Sequence, residues 1–246
     1  MSREISKDNL SCRLELDGAV VSEIKFKDRD ILFPYKKYLV GDIYKNRGGI
    51  PFLFPNAGKP VLDESTRINL KQHGFARDMV WKVLAEDMSK IVLGLNDNDE
   101  TFKIFPYHFD LIMIIEVSGN TFSQAVTVNN NSKNDMPIAL GFHPYFYVPI
   151  DKKDDFEFKI SDFENTQYLE NNGIVEFTLA NIAKLKMKTS LNLKILAIWS
   201  EPNRHHICIE PWVSGENAIL DVQKCVKVKP GESETFSMKL EIMPVN

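Results

Sequence analysis

The sequence of 246 residues has few cysteines, no excess of basic residues and no long apolar run. Three cysteines without paired spacing do not make a disulfide framework or a structural zinc site, and they predict a reducing, cytoplasmic setting. The net charge of −4 gives no basic footprint for nucleic acid or an anionic membrane surface. Apolar runs such as L-I-M-I-I at residues 111–115 are far too short to span a bilayer. We therefore expect no nucleic-acid partner and no membrane partner.

Several motifs of cofactor and metal chemistry are also missing. The chain has no G-x-x-x-x-G-K-[ST] loop, no G-x-G-x-x-G turn, no G-x-S-x-G elbow, no H-E-x-x-H helix and no EF-hand loop. His206 and Glu210 are four residues apart, about 13 Å along a strand, so they cannot share one ion. These absences predict no catalytic metal and leave the common cofactor and nucleophile chemistries poorly supported.

What the sequence does contain is a period-two pattern interrupted by many turns. V-V-S-E-I-K-F at residues 20–26 alternates, and F-S-Q-A-V-T-V at residues 122–128 is rich in strand-forming residues. Turn residues such as D-G, G-N, N-N-G and P-G-E recur between the short strands. One short helix is predicted near residues 35–43. The pattern favours an all-β sandwich or a large open β-structure, and residues 1–246 show no linker and read as a single domain.

The stretch G-F-H-P-Y-F at residues 141–146 places a histidine before a proline. Pro144 biases His143 towards an extended conformation and is uncomfortable inside a central strand. We therefore expect His143 at the end or rim of a strand, where side chains point into pockets. Taken alone, a structural histidine remains the simpler interpretation.

The segment H-H-I-C-I-E-P-W reads as a strand that ends at its proline. Alternate residues share a face, so His206, Cys208 and Glu210 are predicted to point one way, with Ile207 and Ile209 in the core. Glu210 then lies near a strand end, on the less apolar face. On its own it could equally be a surface carboxylate.

Two further segments combine charged or polar residues with glycine. N-R-G-G-I-P-F-L-F-P contains Arg47, and Q-H-G-F-A-R-D contains His73 and Arg77. Glycine lets a backbone or ligand approach closely. By themselves the arginines could be solvated and His73 could cap a turn.

The four segments R-G-G-I-P-F-L-F-P, H-G-F-A-R, G-F-H-P-Y-F and I-E-P-W, in this order, resemble the aldose 1-epimerase (galactose mutarotase-like) family, including hexose-6-phosphate mutarotases. The resemblance implies a large antiparallel β-sandwich with a sugar on a concave sheet. It also implies that Glu210 takes the proton of the anomeric hydroxyl and His143 protonates the ring oxygen. His73 would bind near the ring oxygen, and Arg47 and Arg77 would face the substrate. No cofactor is implied.

The same resemblance predicts further substrate contacts. Trp212 is a candidate sugar-binding aromatic, as are Phe75, Tyr145 and Phe146. Asn56 is a candidate contact that weakly favours a free sugar, whereas two arginines favour an anionic one. The family's additional acidic residue has its candidates in S-D-F-E-N-T-Q-Y-L-E, namely Asp162, Glu164 and above all Glu170.

The prediction is a sugar mutarotase acting on an aldohexose or its 6-phosphate, as a monomer or homodimer. The rival is a non-catalytic carbohydrate-binding or sugar-sensing protein on the same scaffold, because a fold does not fix a function. A glycosidase is a weaker third possibility, since it would need a second carboxylate about 5–10 Å from Glu210.

Overall fold

A computed structural model of the protein describes residues 1–159, 162–163 and 165–245. Within those ranges the regular structure is almost entirely β. The strands are β1 Ser2–Lys7, β2 Leu10–Glu15, β3 Val20–Phe26, β4 Arg29–Asp30, β5 Lys36–Val40, β6 Ile43–Arg47, β7 Phe52–Leu53, β8 Val61–Asp63, β9 Ile68–Leu70, β10 Lys82–Glu86, β11 Lys90–Asn96, β12 Phe109–Ser118, β13 Thr121–Asn130, β14 Met136–Ile138, β15 Gly141–Phe142, β16 Tyr145–Tyr147, β17 Gln167–Glu170, β18 Ile174–Leu179, β19 Ala183–Thr189, β20 Ile195–Trp199, β21 His206–Trp212, β22 Val226–Val228 and β23 Ser233–Pro244. The helical elements are α1, Asp99–Ile104, and short 3-10 helices at Ala76–Asp78, Ile150–Lys152 and Ala218–Leu220.

Three larger antiparallel sheets organise the fold. One has the order β1-β2-β3-β4, and a second has the order β10-β11-β12-β13-β23-β19-β18. The third has the order β17-β20-β21-β15-β7, with β16 also paired to β21. The predicted all-β, antiparallel fold class is confirmed.

Alternating burial explains why these segments form strands around a shared core. Along β12 every second side chain is buried, from Phe109 to Val117, and β13 continues the alternation. One hydrophobic cluster joins side chains of all three sheets, among them Leu14 of β2, Met113 of β12 and Ile209 of β21. Alternating strands of this kind bury one face and leave the other for solvent or for a site.

The predicted helix near residues 35–43 is wrong. That segment forms β5 and the start of β6, which pair as a hairpin across Gly41 and Asp42. Gly41 has a φ of +60°, which suits a two-residue hairpin turn. The short helix lies instead at α1, where the Asn98 side chain accepts hydrogen bonds from two backbone N–H groups of the first turn. With α1 six residues long, no helix in the described ranges could cross a bilayer.

Candidate active site

A cavity of about 530 Å³ lies over the sheet that contains β21. Its volume is in the usual range for small-molecule sites. The lining contains six of the eight residues that the sequence predicts for the site: Glu210, His143, His73, Arg47, Arg77 and Trp212. Residues far apart in the chain therefore meet around one space.

The pairing of β21 explains how His143 reaches Glu210. Gly141 of β15 lies opposite Trp212, and Tyr145 of β16 lies opposite Cys208. His143 and Glu210 lie midway between these two pairs and therefore face each other. Directly opposed side chains on one face of a sheet are close neighbours. The His143 Nδ1 atom lies 3.4 Å from Oε2 of Glu210.

Glu210 is almost completely buried, with 2% of its surface exposed. Burial raises the pKa of Glu210 well above its usual range, against the opposing effects of the Trp212 hydrogen bond and the charge of Arg77. The indole Nε1–H of Trp212 donates to Oε2 of Glu210 at 3.1 Å. The carboxyl group is thus held in place and favours its protonated form while no ligand is bound.

His143 is the second buried group of the pair. Burial lowers the pKa of His143, and the positive charge of Arg77 acts in the same direction. Its ring stacks on Tyr145 with centroids 4.5 Å apart and an interplanar angle of 2°. Its Nδ1 atom is buried and has no hydrogen-bond partner, because the 3.4 Å approach to Glu210 lacks hydrogen-bond geometry. The ring is therefore fixed, with one nitrogen available for a proton.

His73 completes a cluster of three titratable groups. Its ring centroid lies 5.4 Å from that of His143 and 6.2 Å from that of Trp212. Burial lowers the pKa of His73 to about 4, with a contribution from Arg77. The Nδ1 atom bonds the carbonyl of Ala57 and must carry the proton to donate, so the other ring nitrogen is left as an acceptor.

The backbone at His73 is in an uncommon conformation. His73 has a φ of +67°, in the left-handed region, and so has Gly74. A Cβ at Gly74 would lie 2.0 Å from the carbonyl oxygen of Phe54, so only glycine fits. Such strain is often kept where it aims a functional side chain. Here it turns His73 into the cavity.

Arg47 reaches the cavity from the end of β6 and is held on several sides. Its Nε donates to Oε2 of Glu201 at 3.2 Å, and its guanidinium lies over Trp199, 5.5 Å from the ring centroid. The same Glu201 oxygen lies 3.1 Å from Nε of Arg204 and 3.3 Å from Nε2 of His206. Glu201 is therefore the centre of a charged cluster.

Arg77 lies in a different electrostatic situation. It follows Ala76 in a short 3-10 helix, and its Nη2 donates to the carbonyl of Gln72 at 3.3 Å. In the described ranges no carboxylate lies within 4.0 Å of its guanidinium. Its charge acts on the pKa values of His73, His143 and Glu210 alike.

Trp212 and Tyr145 line the cavity as predicted, and Trp199 and Tyr168 join them. Phe75 and Phe146 do not line it, because both belong to the main hydrophobic core. A Cβ at Gly141 would lie 2.3 Å from the Trp212 ring, so the absence of a side chain there lets the indole reach Glu210.

Two predicted contacts lie outside the cavity lining. Asn56 is fully buried and its amide donates to the carbonyl of Lys59 at 2.8 Å, so it supports the loop rather than the lining. Glu170 is exposed at the end of β17.

The segment at residues 161–170, in which the sequence predicts an additional acidic contact, therefore contributes other residues to the cavity lining than expected. It supplies Asn165, Thr166 and Tyr168 to the lining, whereas Glu164 lies outside the described residues. The side chain of Asp162 binds Asn165.

Sequence reasoning missed the acidic residues Glu201 and Glu216. Glu216 lines the cavity, accepts from the Tyr168 hydroxyl at 3.2 Å and pairs with Lys59 at 2.8 Å. Glu201 follows the end of β20, next to Trp199. The one available signal was the segment W-S-E-P, in which an acidic residue follows an aromatic residue at the end of a strand. Such an arrangement is common in loops.

His143, Cys208 and Glu210 could supply three donor atoms to a metal, since these atoms lie within 4.8 Å of one another. Burial raises the pKa of the Cys208 thiol well above its usual range, which disfavours the thiolate that a metal requires. The prediction that the protein uses no metal stays a prediction.

The sequence profile of the family described as aldose 1-epimerase matches residues 2–195, a span that includes both cavity histidines and ends before Glu210. A Cenchrus ciliaris protein, provisionally named a glucose-6-phosphate 1-epimerase, is 26% identical over 92% of this chain and 79% of its own length.

Solved structures show the same fold. The Slr1438 protein from Synechocystis sp. PCC 6803 has a TM-score of 0.82 at 23% identity, covering 100% of this chain and 96% of that one. A galactose mutarotase related enzyme from Lactobacillus acidophilus has a TM-score of 0.83 at 21% identity, covering 98% and 97%. The matched span includes most of the sequence, and the protein therefore belongs to the aldose 1-epimerase family of sugar isomerases.

Proposed function

We propose that the protein is a mutarotase that interconverts the α and β anomers of an aldohexose or of a hexose 6-phosphate. The observation that carries this proposal is the buried pair of His143 and Glu210, 3.4 Å apart at the cavity with His73 beside it. Ring opening needs a proton removed from the anomeric hydroxyl and another delivered to the ring oxygen. A positioned acid and base can do both.

The protonation of the pair suits that role. Burial favours a protonated Glu210 and a neutral His143, so the two groups hold one transferable proton between them. Transfer of that proton from Glu210 to His143 gives a carboxylate base and an imidazolium acid. In the proposed reaction Glu210 then takes the anomeric proton, and His143 protonates the ring oxygen. After rotation about the C1–C2 bond, the roles reverse and the ring closes on the other face.

An anomer-exchange experiment tests the proposal. Polarimetry or NMR exchange spectroscopy on several aldohexoses and their 6-phosphates should show re-equilibration faster than in buffer. Glu210→Gln keeps the size of the side chain and an acceptor for Trp212, so it should bind sugar and lose activity by about 10²–10⁴-fold. If sugar binds but no substrate exchanges faster than in buffer, the protein is a carbohydrate-binding protein and the mutarotase proposal is wrong.

A further inference from the structure

We propose that Glu201 is a positioning residue that sets the charge preference of the cavity. By pairing with Arg47 it biases the cavity towards an uncharged aldose over its phosphate ester. This inference rests on the proposed mutarotase function and names the substrate class within it. It begins from the difference between the two guanidinium groups that line the cavity.

The Arg47 guanidinium is held in place and paired with a carboxylate. Its Nε binds Glu201 at 3.2 Å and its Nη1 donates to the carbonyl of Asn46 at 3.2 Å, while the group lies over Trp199. The side chains of Arg47 and Glu201 are only 17% and 16% exposed, so solvent screens the pair weakly. Three of the five N–H groups of the guanidinium remain for a substrate, but its charge is partly compensated by Glu201, which Arg47 shares with Arg204.

Most other charges of the lining are compensated as well. Lys59 pairs with Glu216 at 2.8 Å, and Asp78 pairs with Lys71 at 2.6 Å. Lys45 is exposed, where water screens its charge. Arg77 is therefore the partly buried cation of the described lining that has no carboxylate partner, and its charge acts on the catalytic cluster.

This distribution disfavours a phosphate at Arg47. A dianion bound there would also approach the carboxylate of Glu201, and the repulsion would offset the attraction of the guanidinium. Tight phosphate sites use guanidinium groups whose charge is free for the ligand. A sugar hydroxyl carries no charge, so it can accept a hydrogen bond from Arg47 without this repulsion.

Removing the charge of Glu201 tests the inference. The substitution Glu201→Gln keeps the shape of the side chain and leaves the Arg47 charge uncompensated. We expect wild type to have a higher kcat/KM for glucose or galactose than for the corresponding 6-phosphate. In Glu201→Gln the ratio should move towards the phosphate by roughly tenfold, as expected for one charge in a weakly screened site.

Two further variants separate charge preference from general damage. Glu201→Asp keeps the charge and should stay near the wild-type ratio. Glu216→Gln removes a carboxylate that lines the cavity itself, but its partner Lys59 is 63% exposed, so the ratio should move much less. Thermal melts of all variants check that each is folded. A wild type that prefers the phosphate, or equal ratio shifts in Glu201→Gln and Glu216→Gln, would overturn the inference.

A binding measurement keeps this test independent of the mutarotase proposal. Calorimetric titration with inorganic phosphate at low ionic strength should give tighter binding to Glu201→Gln than to wild type. If no sugar exchanges faster than in buffer, the proposed function fails, yet this titration still tests Glu201. Equal phosphate affinities in the two proteins would contradict its role.

Discussion

Two histidine–glutamate pairs lie on or beside β21, and their separations are nearly the same. His143 and Glu210 approach to 3.4 Å, and His206 and Glu201 approach to 3.3 Å. Both histidines are buried, and burial lowers the pKa of each. Distance and residue type therefore do not distinguish the two pairs.

Their surroundings do distinguish them. Burial acts to raise the pKa of Glu201, but the hydrogen bond from His206 and the charge of Arg47 outweigh it, so the net shift is downward. Glu210 has one neutral donor, Trp212, and burial raises its pKa. His206 and Glu201 belong to a charged cluster that holds an arginine, whereas burial favours a protonated carboxyl group in the pair of His143 and Glu210.

The hydrogen bonds of the two histidines show the same difference. His206 Nε2 donates to Glu201, and its Nδ1 lies 3.7 Å from the Cys208 thiol, so both nitrogens have partners. The Nδ1 atom of His143 has none. A buried polar atom without a partner is costly, and its retention is typical of a site that a substrate or a proton completes.

Replacing each histidine by glutamine should have the largest effect and should separate the two pairs. In His143→Gln the proposed proton donor is lost, and we expect kcat for anomer exchange to fall about 10²–10⁴-fold. In His206→Gln the main result should be a loss of stability of about 1–3 kcal/mol, because a fully bonded buried group is disturbed. Exchange NMR and urea unfolding measure the two effects. A comparable fall in kcat for both folded variants would contradict the distinction.

A smaller effect is expected when the support of Glu210 is displaced. Gly141→Ala would place a methyl group against the Trp212 ring, and overpacking of this kind costs about 1–3 kcal/mol. Because the indole would move away from the carboxyl group, kcat should fall as well. Unfolding and exchange rates provide the measurements.

Gly215→Ala is the matched control for this substitution. A Cβ at Gly215 would meet no atom within 4 Å, so its stability should stay within about 0.5 kcal/mol of wild type. Equal behaviour of the two alanine variants would show that Trp212 does not depend on Gly141.

The smallest effects, in the pH dependence of stability, should have opposite signs for the two glutamates. An unfolded glutamate has a pKa of about 4.3, and that of folded Glu210 is higher, so above this pH the unfolded chain releases a proton that the folded chain keeps. The free energy of unfolding of wild type relative to Glu210→Gln should therefore fall as pH rises from 4.5 to 7.5.

For Glu201 the folded pKa is lower than the unfolded one. Its contribution is complete above about pH 4.3 and is lost as pH falls through the folded value. Wild type should therefore lose stability relative to Glu201→Gln as pH falls from 5.5 to 3.5. Urea unfolding at each pH measures both series, and slopes of the same sign would show that the two environments are not opposite.

Much of this arrangement could be predicted from local sequence. Period-two patterning and strand-forming residues identified β3 and β13, and alternation along β21 placed Glu210 on the opposite face from Ile207 and Ile209, which lie in the main core. The order of four short motifs indicated the family. Such signals are local, or depend on order along the chain, so one sequence carries them.

Other features depend on contacts that local sequence does not encode. The strand register that sets His143 opposite Glu210 joins residues 67 positions apart. The ion pair of Arg47 with Glu201 joins residues 154 positions apart. The strand β5 was mistaken for a helix because its polar and apolar residues suit either period. Glu170 is predicted as the counterpart of the family's additional acidic residue, whereas Tyr168, two residues earlier on β17, is the one that lines the cavity.

The interruption between β15 and β16 has a consequence for how the protein can change. On both sides of His143 and Pro144 the chain pairs with β21, so the sheet sets the spacing of the proposed acid–base pair. The charged groups at the cavity rim come from a hairpin and loops that have little part in the pairing of β15 and β16 with β21. Under the proposed function, substitutions in these rim elements change which sugar is admitted while the spacing of His143 and Glu210 stays constant, so selectivity and chemistry can evolve separately.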